Sequence, residues 1–69
     1  MADFKKNIAN AEFNFNQVKE GNDLIFLVTV DNQSFRMTTD EDGYWGIWQQ
    51  VPRWIKALEG DLANAIEEQ

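Results

Sequence analysis

No cysteine and no histidine occur among the 69 residues, and proline occurs once. Without cysteine there is no disulfide framework, no thiolate nucleophile and no zinc or iron–sulfur site of the usual kind. Without histidine the commonest general base and the commonest transition-metal ligand are both missing. Serine occurs only at Ser34, in a turn, where no histidine can activate it. The glycines, Gly21, Gly43, Gly46 and Gly60, are scattered, so no phosphate-cradling loop is present. The carboxylate pairs Asp40 with Asp42 and Glu59 with Asp61 stand where solvated charge is the default, and a small domain has little room for a cleft that splits their pKa values. The expectation is a non-enzyme with no catalytic residue, no metal and no cofactor.

Long apolar runs are absent too. The longest, Leu24 to Val28, falls far short of the roughly 20 residues that span a bilayer. Met1 to Lys6 leads into Asn-rich sequence rather than the apolar core of a secretory signal. The expected location is cytoplasmic, with no membrane partner. Asn32-Gln33-Ser34 matches a glycosylation sequon, but without an export signal it reads as a turn.

Positive charge is scarce. Six Lys and Arg face twelve Asp and Glu, for a formal net charge of -6. Residues 37–69 hold most of the excess, which repels phosphate and disfavours direct binding to nucleic acid. The same acidic half could occupy a basic site on another protein, as an inhibitor or nucleic-acid mimic.

What is present is apolar and aromatic: 43% and 13% of the chain. That is too hydrophobic for a disordered segment. A chain this short buries only about 60% of its unfolded surface, so it depends on dense packing or on a partner subunit.

Patterning predicts an α+β domain over 1–69: a three- or four-stranded antiparallel meander, then one C-terminal helix on one face of the sheet. Residues 1–12 read as an irregular or short helical lead-in, because Phe4, Ile8, Ala11 and Phe15 have helical spacing while Asn7, Asn10 and Asn14 weaken a helix. The meander occupies 13–48. Phe13 and Phe15 alternate with asparagines, Leu24 to Val30 is the strongest strand, and Phe35 and Met37 alternate on a third. Tyr44 to Trp48 forms a short fourth strand with a bulge or close contact at Gly46. Val51-Pro52 opens a helix over 52–68, with Pro52 at its first position. Trp54, Ile55, Leu58, Leu62, Ala65 and Ile66 line its apolar side, which places Trp54 in the core.

Two features ask for more than this layout supplies. The central strand is apolar on both sides: Leu24, Phe26, Val28 and Val30 face one way, Ile25 and Leu27 the other. One helix roofs one face, so Ile25 and Leu27 need cover from the lead-in, from Trp45 or Trp48, or from a second copy of the chain. The cluster Tyr44-Trp45-Gly46-Ile47-Trp48 is either core rim or contact surface, since Trp and Tyr supply rigid area with a polar tip. A sugar-stacking platform would need a concave aromatic pocket there.

Asp40-Glu41-Asp42-Gly43 imitates part of a calcium loop. Aligned on Gly43, however, its first and last ligand positions hold Thr38 and Gln49, which leaves an acidic turn. The leading expectation is a protein-interaction module that contacts a protein partner or itself, as a homodimer, through Tyr44, Trp45, Trp48, Ile25 and Leu27.

Overall fold

The structure is a computed structural model that describes residues 3–68. Five strands follow in order: β1 (Phe4–Ile8), β2 (Ala11–Glu20), β3 (Asp23–Val30), β4 (Gln33–Thr39) and β5 (Trp45–Ile47). All neighbours pair antiparallel in chain order, so the sheet is a meander with no crossover. Two helical segments follow, α1 (Arg53–Lys56) and α2 (Glu59–Glu68).

The first three connections are two-residue hairpins, fixed by the registers Ile8↔Ala11, Glu20↔Asp23 and Val30↔Gln33. Such turns need positive φ, which matches the right-handed twist of the strands. Gly21 supplies it at 62°, without steric cost. In the first hairpin both central residues are left-handed, Ala9 at 52° and Asn10 at 64°. Alanine is a poor choice there, because its Cβ crowds the following carbonyl. Ala9→Asn should therefore stabilise the protein by about 0.5–1 kcal/mol, read as a higher urea midpoint at unchanged slope. An unchanged or lower midpoint would mean that the turn is not under this strain.

Period-2 alternation puts Phe13 and Phe15 of β2, Phe26, Val28 and Val30 of β3, Phe35 and Met37 of β4 and Ile47 of β5 on one side of the sheet. All are buried, together with Ile55, Leu62, Ala65 and Ile66 from the helices. Four of the five phenylalanines lie within this layer, and the fifth, Phe4, stacks on Phe15 with ring centroids 4.5 Å apart. α2 touches both edge strands, β5 and β1, and so crosses the sheet from one edge to the other.

Three expectations are corrected. The lead-in over 1–12 is not helical where described: Phe4–Ile8 is a fifth strand, at the sheet edge, and residues 1 and 2 lie outside the described residues. A spacing of four fits both periods, 3.6 and 2, so Phe4 and Ile8 share a face in either structure. The pairing with β2 decides between them. This strand lies beside β2 and puts Phe4 and Ile8 against the core, so it does not cover Ile25 and Leu27.

The helix over 52–68 is broken. Leu58 N–H donates to the Ile55 carbonyl at 3.0 Å, a tightened turn, and α2 starts afresh at Glu59. Pro52 caps α1 from outside with extended ψ of 147°, and its carbonyl accepts from Ile55 and Lys56. The tight turn hardly shifts the phase of the apolar stripe, which is why periodicity alone runs straight through it. Trp54 is the third correction. It remains 43% exposed at the rim, tilted against Phe13 at 6.3 Å, while Ile55 takes the inward position.

Candidate functional site

The helices roof one face of the sheet, and the other face is the candidate site. Register places its side chains in rows across the strands. Lys5, Asn14, Thr29 and Ser34 form one row, and Asn16, Leu27 and Arg36 the next. Val18 stands beside Ile25, and Thr38 beside Gly46. Ile25 and Leu27 lie on the central strand of this face, and Leu27 is flanked by the polar Asn16 and Arg36.

Ile25 and Leu27 do lie on the face opposite Phe26 and Val28, as alternation requires, but they differ in exposure. Ile25 is 5% exposed, whereas Leu27 is 36% exposed. Arg36, opposite Leu27, forms an ion pair with Glu20, opposite Asp23. The pair therefore straps β4 to β2 across β3, over the position of Ile25 between Asp23 and Leu27. An exposed ion pair contributes little by itself, but the long arginine stem shields apolar surface.

Trp48 continues the face beyond β5. Its indole Nε1–H reaches the Thr38 carbonyl at 3.4 Å, and its six-membered ring lies against Gly46. A Cβ at Gly46 would stand 3.1 Å from both Trp48 Cζ2 and Glu59 Oε2. This is the close contact that the glycine permits. Gly46→Ala should lift the indole, shifting the Trp48 side-chain N–H resonance at a stability cost of about 1 kcal/mol or less. An unmoved resonance would place the indole elsewhere. With Arg36, Thr38 and Gln49, Trp48 borders a depression of about 300 Å³. It has one aromatic wall, not the facing aromatics of a sugar-stacking cleft. Trp48 itself is 64% exposed.

The other aromatic candidates separate. Tyr44 is 67% exposed in the turn before β5, while Trp45 points to the core side and meets Phe26 edge-on at 5.3 Å. Of the five candidate contact residues, the structure brings Leu27 and Trp48 to one open face, with Ile25 beneath it. Tyr44 stands apart in the turn and Trp45 packs on the opposite side.

The acidic turn is organised by its own first residue. Asp40 Oδ1 accepts from the backbone N–H of Asp42 at 2.9 Å and of Tyr44 at 3.0 Å. Gly43 closes the turn with φ of 85°. Among the described residues, no group of three or more acidic side chains is gathered to hold a metal ion, and no helix is long and apolar enough to cross a membrane.

Sequence reasoning missed the clamp at the β5 edge. Glu59 Oε2 accepts the Ile47 N–H at 2.6 Å, and Lys56 Nζ donates to the Ile47 carbonyl at 3.0 Å and to Glu59 at 3.0 Å. The two side chains thus occupy both outward backbone groups of one strand residue. The Ile47 amide holds the Glu59 carboxyl below its ordinary value of 4.5, outweighing the upward push of burial, and the hydrogen bond and charge of Lys56 add smaller downward pulls. Gln49 does a similar service where β5 has ended, accepting the Arg36 N–H at 2.9 Å. On the other side, Asp3 accepts the Gln17 N–H at 3.1 Å, just before β1 begins. No periodic signal marks such residues, because they are polar and on the solvent side of their elements. Val18 and Arg36 were legible in principle, from their alternation with Gln17 and with Phe35 and Met37.

Comparison with protein-family models, with curated proteins and with solved structures finds no match to this chain.

Proposed function

We propose that this protein is a small non-enzymatic interaction module that docks another protein surface through the outer face of its sheet. One observation carries the reading: the face away from the helices is not covered by them, and Val18 on β2, Leu27 on β3 and Trp48 beyond β5 are all exposed on it. Large apolar side chains grouped on one face of a small domain mark a contact surface more often than isolated ones do. Trp48 is positioned in advance by Gly46 and the Thr38 carbonyl, so little side-chain freedom is lost on contact. Asn14, Asn16, Thr29 and Ser34 supply the polar rim that such interfaces use.

The test is capture from an extract of the source cells with the tagged chain and with the double variant Leu27→Glu, Trp48→Ala. Partners should be retained by the wild type and lost by the variant, and should survive high salt. Identical capture by both baits would remove the outer face from consideration. Capture that fails steeply as salt rises would instead favour the acidic-inhibitor reading, since ionic contacts are screened and apolar ones are not.

A further inference from the structure

We infer that the occupant of the outer sheet face is a second copy of this chain, packed face to face to form a two-fold β-sandwich with the helices outside. The inference rests on the docking reading above and names its partner. Charge is the first argument. The chain carries -6, yet the outer face holds Lys5 and Arg36 against Glu12, Glu20 and Asp23 and is close to neutral. The acidic excess lies elsewhere, in Asp40, Glu41 and Asp42 of the turn and Glu59, Asp61, Glu67 and Glu68 of α2. A basic partner would be drawn to those surfaces instead. A strongly acidic partner would be repelled by the whole molecule. Two identical acidic chains meet at least cost where neither carries its excess charge.

Area is the second argument. Five strands at about 4.8 Å make a sheet about 20 Å wide, and the eight residues of β3 run about 27 Å. These dimensions agree with principal extents of 33 × 23 × 21 Å. The face then offers about 500 Å² per copy, and a pair buries about 1,000 Å², at the lower limit of specific interfaces. An interface of this size is expected to be weak. Sheet-on-sheet packing suits the geometry, since twisted sheets stack aligned with interdigitating side chains about 10 Å apart.

Sedimentation equilibrium on the full chain tests this from about 10 µM to about 1 mM, a range that reaches weak self-association. The weight-average mass should climb from 8.0 kDa toward twice that value. Association should tighten severalfold as salt rises, because screening relieves the repulsion between two like-charged copies. Leu27→Glu and Leu27→Lys should each raise Kd at least tenfold, despite their opposite charges, while Tyr44→Ser leaves it unchanged. Circular dichroism confirms that each variant folds. A mass that stays at the monomer value throughout overturns the second-copy inference. So does a dimer indifferent to both Leu27 changes, or one that tightens as salt falls. If the mass stays monomeric but extract capture still depends on Leu27 and Trp48, the docking reading stands with a different partner. If neither depends on them, both fall together.

Discussion

Phe15→Ala should leave a protein that is largely unfolded near 37 °C, with its melting midpoint lowered by about 15–30 °C. Phe15 has no exposed surface and sits at the meeting point of the aromatic layer. Its ring stacks on Phe4 at 4.5 Å and meets Phe26 edge-on at 6.4 Å. Removing it loses the transfer free energy of a phenyl group and leaves a cavity that flanking strands cannot close, together about 3–5 kcal/mol. A domain of this length has a net stability of about 3–10 kcal/mol, so the loss consumes most of the margin. Phe15→Leu keeps much of the volume and should cost far less. Calorimetry or thermal circular dichroism checks both. A Phe15→Ala midpoint within a few degrees of wild type would show that the core is not centred on this ring.

Glu59→Ala should lower the midpoint by about 10 °C, an unusually large effect for a residue on a helix surface. The carboxylate accepts from the Ile47 N–H at 2.6 Å and from Lys56 at 3.0 Å. Bonds to a charged group contribute about 1.5–3 kcal/mol each where water is excluded and less where it is not, so about 2 kcal/mol is expected in all. The variant also leaves the outward amide of β5 open, since Lys56 can take only the carbonyl. The pH dependence has a definite sign. In the folded protein Glu59 keeps its charge to lower pH than its ordinary value of 4.5, so between the two values the unfolded chain binds more protons. Its contribution is complete above the unfolded value and is lost as pH falls through the folded one. Glu59→Gln retains an acceptor for Ile47 but no titrating group. It should be intermediate in stability at pH 7 and should lose part of the acid dependence that sets in as pH falls below the ordinary value of 4.5, as followed by urea unfolding at several pH values. An acid limb identical to wild type would show that the Glu59–Ile47 bond is not made in solution.

These two residues also mark the boundary of what sequence reading can see. Phe15 was legible, because Phe13-Asn14-Phe15-Asn16 alternates and puts both rings on one side of a strand. The meander order was legible for the same reason, since clear turn residues separate short strands and leave only local pairing. The first strand was not. Phe4-Lys5-Lys6-Asn7-Ile8 offers only two apolar residues four apart, and its turn is built from Ala9 and Asn10 rather than a glycine. Glu59 was invisible as well. Its role depends on a strand edge twelve residues away, and the broken helix that aims it there leaves no mark in the apolar period.

The outer face of the sheet shows the same division. Alternation alone assigned Ile25 and Leu27 to the face opposite Phe26 and Val28, because side-chain direction along a strand follows from covalent geometry. Which of the two meets solvent was settled by neighbours from other strands: the Arg36–Glu20 strap lies over Ile25 and leaves Leu27 open. The aromatic cluster was likewise noticeable as composition, but its members part company in three dimensions, with Trp45 inward against Phe26 and Trp48 outward over Gly46. From residue order alone came the class of fold, the inward face of each clear strand and the absence of cysteine and histidine chemistry, all of which rest on local periodicity and side-chain chemistry. Only the packed chain decided the edges, the helix break and the exposed patch, because each depends on groups that are distant in sequence and become neighbours only after folding.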